Sequence, residues 1–246
     1  MPLIKVQEHL EVNGEYAALI MAASIIYKQV LEMTGAKMIW SPGISLVDGI
    51  AVEYAVDHNL LKLPHNFEND IIVAARNMAK RYKCHMIHIQ TVEQMALTVF
   101  DAAKKIHGLK SRERLLLQIA ANLHACGKFI SVRNTGECCY NIIMSTEMIG
   151  LSHLEREIVA NVVRYHILEF EYNEVHIESY PNPGSRLVST EGINILIAKL
   201  TAILRLANAM DRSHRQKLLT STVRLKENEL VITADSDSDI SLEELS

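Results

Sequence analysis

The stretch Leu117-Gln118-Ile119-Ala120-Ala121-Asn122-Leu123-His124-Ala125-Cys126-Gly127 carries one histidine through an apolar helical pattern and stops at a glycine. Apolar residues surround His124 at helical spacing, so its ring is expected on or near a buried face. Burying an imidazole costs free energy unless its nitrogens find hydrogen-bond partners. A core histidine bonded to a carbonyl meets that requirement, and so does a histidine in a binding site. The choice between them depends on which other groups the fold brings to His124.

The composition favours a helical protein with a sizeable core. Hydrophobic residues make up 49% of the 246 residues and aromatic residues only 5%, which fits one large domain or two small ones rich in helix. The net charge of −4 gives no case for nucleic-acid binding. From these bulk properties we expect a folded protein that does not bind nucleic acid.

The cysteines and the N-terminus favour the cytoplasm. Cys84, Cys126, Cys138 and Cys139 form no CxxC pair, so they are expected to be reduced thiols of an intracellular protein. No signal-peptide pattern opens the chain, and the most apolar segment, residues 16–30, is too short and too mixed to span a bilayer. The expectation is therefore a cytoplasmic protein without a membrane partner.

The hydrophobic periodicity predicts a series of helices and one hairpin. The predicted helices are residues 12–34, 44–54, 67–82, 85–106, 113–126, 139–146, 152–166 and 190–215. Residues 37–41 are a short strand candidate, and residues 219–226 and 229–234 alternate as a β-hairpin around Glu227-Asn228. Pro181-Asn182-Pro183-Gly184 is the clearest break, and the acidic residues 236–239 form a tail.

Several polar residues could meet His124 in a folded helical bundle. His85 and His88 are three residues apart, as are Asp211 and His214, and His166 ends the helix that begins at Ser152. Histidine and aspartate on facing helices are how bundles build metal and phosphate sites. The alternative for a histidine near a helix C-terminus is a favourable interaction with the helix dipole.

Basic residues gather late in the helical region and are candidates for phosphate binding. These candidates are Arg164, His166, Arg205, Arg212, His214 and Arg215. A solvated helix end explains such a cluster without function. The functional interpretation is a pocket for phosphate oxyanions, to which the fork of arginine is well suited.

The same residues carry a resemblance to a known family. The motifs are Arg81-Tyr82, His88, Leu123-His124-x-x-Gly127, Gly150-Leu151-Ser152, Arg164-Tyr165-His166 and the run Leu204 to Gln216, followed by Val223-Arg224-Leu225 and Leu230-Val231-Ile232. In this order and spacing they resemble the C-terminal part of the Ppx/GppA phosphatases, the exopolyphosphatases and guanosine pentaphosphate phosphohydrolases. The resemblance runs from about residue 14 to the end of the given sequence.

The resemblance implies a mainly α fold with an HD-domain-like helical bundle, a small C-terminal β-hairpin and an N-terminal helix-strand remnant of an actin-like domain. The implied domains are residues 1–58 for the remnant, 59–216 for the HD-like bundle and 217–246 for the hairpin and acidic tail. The phosphate loops and the catalytic glutamate of the actin-like lobes have no counterpart in the sequence.

The resemblance also implies a degenerate metal site. Its candidate residues are His85, His88, His124 and Asp211, of which His88, His124 and Asp211 stand at metal-ligand positions. Ala125 takes the place of the aspartate in the His-Asp pair. Because alanine cannot bind a cation, at most three ligands survive. A divalent metal ion is accordingly the only cofactor that the resemblance suggests, and no catalytic residue is assigned.

Three functions remain open from the sequence. The first is a non-catalytic module, with a degenerate metal site, that serves in phosphate-ligand binding, regulation or dimerisation; its ligand would be polyphosphate or another phosphate-rich molecule. The alternative is an active metal-dependent phosphohydrolase acting on polyphosphate or guanosine pentaphosphate. The third is a structural half that works as a homodimer or beside a separate actin-like chain. We expect the first.

Overall fold

The structure of the protein is a computed structural model that describes residues 3–63, 65–170, 172, 175, 177, 190–227, 229–234 and 239–246. The predicted break at residues 181–184, Asn228 of the predicted turn and most of the acidic tail lie outside these residues. The chain divides into two compact units, Met1–Pro64 and His65–Ser246. The predicted domain divisions at residues 58 and 216 stay predictions.

The described part of the first unit contains three helices, α1 (Leu3–Leu10), α2 (Gly14–Thr34) and α3 (Leu46–Asp57). The side chain of Asn13 caps α2 by accepting the Tyr16 amide at 2.9 Å, and Gly35 ends the helix in the left-handed region. These signals explain why the predicted helix 12–34 is confirmed almost to the residue. The helix α1 was not predicted.

The predicted strand at residues 37–41 is wrong. Residues 36–45 have no regular secondary structure, and Met38 and Trp40 are each 81% exposed. The segment is apolar enough for a strand, but no strand of the described part of this unit offers it a backbone partner. A single strand cannot form by itself, so the segment stays without a ladder.

Within the described residues, two helices are long and apolar enough to cross a membrane by length and composition, namely α2 and residues 191–209. The second is half buried inside the protein, as a core helix is. The helix α2 is longer than the apolar segment 16–30 because it continues to Thr34. The expectation that residues 16–30 are too short to span a bilayer is therefore wrong as regards length. One such helix near the N-terminus is nevertheless weak evidence for a membrane.

The second unit is a helical bundle with a hairpin. Its helices are α4 (Phe67–Arg81), α5 (Met86–Ala102), α6 (Lys104–His107), α7 (Ser111–Leu123), α8 (Thr135–Met144), α9 (His153–Tyr165), α10 (Thr190–Ala209) and α11 (Ser241–Glu244). The helices α5, α7, α9 and α10 pack on one another, α4 packs on α7, and α8 packs on α9. Together with the hairpin, these helices confirm the predicted mainly α fold.

Polar side chains, rather than apolar periodicity, set two helix ends that the sequence placed differently. The predicted helix 85–106 breaks after Ala102, and the buried His107 fastens the next turn by bonding Nε2 to the Phe100 carbonyl at 2.8 Å. The predicted helix 190–215 ends at Ala209, because Asp211 accepts the amide of Gln216 at 2.8 Å and starts a series of turns. Asp211 and His214 therefore lie beyond α10.

The predicted capping box and the predicted hairpin are both confirmed. The Ser152 hydroxyl accepts the Glu155 amide, and the Glu155 carboxylate accepts the Ser152 amide, at the start of α9. Strands β1 (Thr222–Lys226) and β2 (Glu229–Thr233) pair antiparallel, with Val223 opposite Ile232. Apolar side chains of the hairpin pack against the helical core.

Candidate functional site

The fold brings the predicted histidines together at one side of the helical core. His88 lies in the first turn of α5 and His124 directly follows α7, and the two rings are 2% and 1% exposed. Their Nε2 atoms are 3.3 Å apart. The ring of His166, which follows α9, meets His124 edge to face with centroids 5.3 Å apart. Three helices therefore contribute to one buried set of imidazoles.

Asp211 holds the buried imidazoles in place by bonding His88 on the side away from His124. One carboxylate oxygen accepts the Nδ1 proton of His88 at 2.7 Å, and the other accepts the Gln216 amide at 2.8 Å. The residue is fully buried. Both oxygens are therefore engaged within the protein, and Asp211 orients His88 from the Nδ1 side, opposite to His124.

His124 owes its position to the end of α7 and to Gly127. Its Nδ1 donates to the Ala121 carbonyl at 2.7 Å, and the chain then enters a 3-10 turn, Cys126–Phe129. The Gly127 amide donates to the Cys139 sulfur at 3.0 Å, which ties the turn to α8. His124 therefore makes the hydrogen bond to a carbonyl that is expected of a core histidine, while its Nε2 atom faces His88.

The buried imidazoles are held neutral by their surroundings. Burial is the main cause that lowers the pKa of His124 well below its ordinary value, and the neighbouring His166 adds to it. Burial likewise lowers the pKa of His166 to about 4. The pKa of His88 is lowered by burial, with Asp211 opposing the shift. The uncharged form of His124 and His166 is therefore the stable one at neutral pH.

Two more histidines flank the set at its outer side. The exposed His214 stacks on His88 with ring centroids 3.8 Å apart and an interplanar angle of 12°. His85 caps α5, since its Nδ1 accepts the His88 amide at 3.2 Å. His214 has φ of 56°, a strained backbone for a side chain other than glycine. The geometry thus places five of the eleven histidines in one histidine cluster: His85, His88, His124, His166 and His214.

The residues present do not fit a divalent metal ion that is bound mainly by oxygen ligands. Mg²⁺ and Mn²⁺ prefer oxygen ligands, yet Asp211 faces the Nδ1 side of His88 and Ala125 has no donor. Within the described residues, no three His, Cys, Asp or Glu side chains are placed to hold a metal ion. Only the facing nitrogens of His88 and His124 retain a ligand-like arrangement.

The predicted phosphate-binding residues separate into groups. A cavity of about 480 Å³, here named the arginine cavity, collects three of the six. It is lined by His166, Arg205, Asn208, Ala209, Arg212, Leu242, Leu245 and Ser246. His214 belongs instead to the outer side of the histidine cluster, and Arg164 pairs with Glu137 at 2.6 Å. Arg215 is exposed and lines neither place.

Sequence reasoning missed two residues of this region, Lys128 and Asn208. Asn208 hydrogen-bonds His88 and also lines the arginine cavity. The positive charge of Lys128 contributes to lowering the pKa of His88, His124 and His166. Asn208 stands one turn before the Asp211 motif and could have been found by helical spacing, whereas Lys128 lies on a 3-10 turn that the periodicity does not reveal.

We predict that stability falls as the pH is lowered from about 6.5 to about 4. Because His166 titrates near 4 in the folded protein and near 6.5 when unfolded, the unfolded chain binds more protons between these values. The shift corresponds to about 3 kcal/mol of the free energy of unfolding, present in full above pH 6.5. Urea unfolding across this range measures the effect.

The matched variants for that experiment are His166→Gln and His153→Gln. The first should reduce the pH dependence by the part that His166 contributes, while the part due to the buried His88 and His124 remains. The second, at an exposed position of α9, should leave the pH dependence unchanged. Equal pH dependence in wild type and His166→Gln would contradict the prediction.

A search of curated proteins finds no significant match to this chain. The family model described as Ppx/GppA phosphatase, domain III, matches residues 72–243, which is well over half of the chain and contains the whole histidine cluster. The chain therefore belongs to the Ppx/GppA phosphatase family, and this region is its domain III.

Proposed function

We propose that this chain is a non-catalytic, phosphate-ligand-binding module of a Ppx/GppA phosphatase that works in the cytoplasm. The observation that carries the proposal is the arginine cavity, where Arg205, Arg212 and His166 converge without a carboxylate side chain among the described lining residues. Polyphosphate and guanosine polyphosphates, the ligands that the family suggests, are rich in oxyanions that suit such a cavity.

The two arginines have different tasks in this proposal. Arg205 donates through Nε and Nη2 to the Tyr165 carbonyl at 3.0 and 2.7 Å and also to the Leu168 carbonyl, which holds the guanidinium in place. Arg212 is exposed and has no ion pair within the described parts of the chain. Arg212 is therefore the cation that is available to a ligand, and Arg205 is a pre-positioned one.

His166 supplies an acceptor on the same wall. Its Nδ1 donates to the Val163 carbonyl, so the neutral ring presents an unprotonated Nε2. Such a nitrogen accepts from a P–O–H group or from a bound water, while the arginines donate to the remaining oxygens. The arrangement binds a phosphate without requiring proton transfer or a nucleophile, which supports a binding role.

The alternative function, metal-dependent hydrolysis of polyphosphate or guanosine pentaphosphate, has one observation in its favour. The Nε2 atoms of His88 and His124 face each other at 3.3 Å, a spacing that two ligands of one transition metal ion can have. The inward hydrogen bonds of Asp211 weigh against it. Elemental analysis after reconstitution with Mn²⁺ or Zn²⁺ separates the two functions, because the binding module needs no metal.

A dimerisation or docking role is favoured by the first unit. Of the 21 residues of α2, only Ala17 is buried, and Leu19, Ile26 and Met33 are 65%, 64% and 78% exposed. A surface of this kind is typical of an interface with another copy or with a separate actin-like chain. Sedimentation of the full chain tests it, since a monomer at high concentration would count against self-association.

We predict that Arg212→Ala weakens polyphosphate binding by about tenfold to a hundredfold, because one charge-assisted hydrogen-bond pair contributes about 1.5–3 kcal/mol. Isothermal titration calorimetry at low salt measures the change. Arg215→Ala is the matched control, since it removes an exposed arginine that does not line the arginine cavity. Equal affinities of the two variants would refute the assignment of this cavity.

A further inference from the structure

A second cavity lies on the outer side of the histidine cluster, and of the predicted phosphate-binding residues it contains only His214. Its volume is about 280 Å³, and we name it the lysine cavity. The residues that matter for its chemistry are Lys83, His85, His88, Ala125, Lys128 and His214. Ala125, where the resemblance places an aspartate, is one of the lining residues and brings no charge to the cavity.

The lysine cavity has an excess of positive charge. Lys83 and Lys128 are both exposed, and neither forms an ion pair with any residue in the described ranges. No Asp or Glu is among the described residues that line the cavity. The nearest carboxylate, Asp211, is fully buried behind His88 with both oxygens bonded. Nothing on the walls therefore neutralises the two ammonium groups.

The two outer histidines add hydrogen-bond donors to this charge. Since Nδ1 of His85 accepts the His88 amide, its neutral ring carries the proton on Nε2, which can donate to a ligand. His214 has a strained backbone conformation and stacks on His88, and it also lines the cavity. A single oxyanion can thus meet ammonium and imidazole donors together.

The rim of the cavity is aromatic. Tyr82 and Phe129 both line it, and their rings meet edge to face with centroids 5.8 Å apart. Phe129 is 56% exposed. An apolar surface beside a cationic one suits a molecule with an anionic end and a flat organic end. A cavity of this size holds a small molecule rather than a long polyphosphate chain.

We propose that the lysine cavity binds a small phosphate monoester without a metal ion, with its phosphoryl oxygens at Lys128, His85 and His214 and its organic group against Tyr82 and Phe129. This site is separate from the arginine cavity, and it does not depend on the function proposed for that cavity.

Phenyl phosphate is a suitable probe, and calorimetry of the full chain in EDTA is a suitable measurement. Arg212→Ala is the background, so that the arginine cavity contributes little. Phenyl phosphate should bind, inorganic phosphate should bind at least tenfold more weakly because it lacks the organic group, and benzoate should bind more weakly still because it lacks the phosphoryl group. Absence of phenyl phosphate binding in EDTA, or binding that requires Mn²⁺, would overturn the proposal.

The matched variants are Lys128→Met and Lys105→Met in the same background. Both lysines are exposed, and Lys105 lies on α6 outside the lysine cavity. Lys128→Met should weaken phenyl phosphate at least tenfold, and Lys128→Arg should recover most of the affinity. Equal affinities of the two methionine variants would overturn the proposal. If Lys128→Met unfolds at the same temperature as its background protein, the fold is intact and the loss of affinity arises at the cavity.

The outcome is distinguishable from that of the proposed function. In the otherwise wild-type chain, Lys128→Met should still bind polyphosphate at the arginine cavity, whereas Arg212→Ala should still bind phenyl phosphate at the lysine cavity. Loss of both ligands in either single variant would contradict two separate sites.

Discussion

Replacing Gly127 by alanine is expected to cost about 3 kcal/mol or more of the free energy of unfolding, or to prevent folding, because the added methyl group overpacks a site closed by backbone atoms. A Cβ atom at this position would lie 2.7 Å from the Cys139 amide nitrogen, 2.9 Å from the Cys139 sulfur and in contact with the Thr135 carbonyl oxygen. Two of these neighbours are backbone atoms of α8, so relief requires a helix to move. Urea unfolding of the purified variant measures the loss.

Gly49→Ala is the control for that experiment. A Cβ atom at Gly49, within α3, meets nothing within 4 Å and adopts an ordinary backbone conformation. Alanine there should be neutral or stabilising by up to about 1 kcal/mol. If Gly127→Ala were tolerated as well as Gly49→Ala, the close packing of the 3-10 turn on α8, and with it the position of His124, would be wrong.

Replacing Asp211 by alanine is expected to cost about 2–6 kcal/mol, because it leaves two donors, the buried Nδ1 of His88 and the Gln216 amide, without their acceptor, at about 1–3 kcal/mol each. The variant should also release the ring of His88, which imidazole NMR signals would report. Asp101→Ala is the matched control. Asp101 pairs with Arg114 at 2.8 Å at the surface, so its loss should cost less than about 1 kcal/mol.

Stability measured with and without a divalent ion distinguishes an anchoring role of Asp211 from a metal-binding role. An anchoring role predicts a large loss of stability in metal-free buffer. If Asp211 were instead a metal ligand, Asp211→Ala would change stability only when a divalent ion is present. Equal stability of the two alanine variants in EDTA would contradict the anchoring role.

Much of the fold follows from local signals in the sequence. The Asn13 cap and Gly35 bound α2, the Ser152 capping box begins α9, and alternation marks both strands of the hairpin. The predicted strand at residues 37–41 does not form, because a strand needs a neighbouring strand to bond to, and the local sequence does not show whether one is present. The early end of α10 escaped prediction since it depends on the Asp211 carboxylate bonding Gln216.

The site was predictable in part. The resemblance named His88, His124 and Asp211, and the structure does bring them together. It could not show that Asp211 bonds the Nδ1 side of His88, because that orientation depends on contacts 123 residues apart. Arg164 was grouped with the phosphate candidates, but its partner Glu137 is distant in sequence. Charge patterns along the chain do not reveal such pairs.

We propose above all that this domain III binds phosphate compounds without a metal ion and does not hydrolyse them. Calorimetric titration of the full chain with polyphosphate in EDTA tests it most directly, with phosphate release and metal content followed in the same samples. We predict binding in EDTA, no gain in affinity with Mn²⁺, and no phosphate release by wild type or His124→Ala. Phosphate release that requires a bound metal and is lost in His124→Ala would contradict the account.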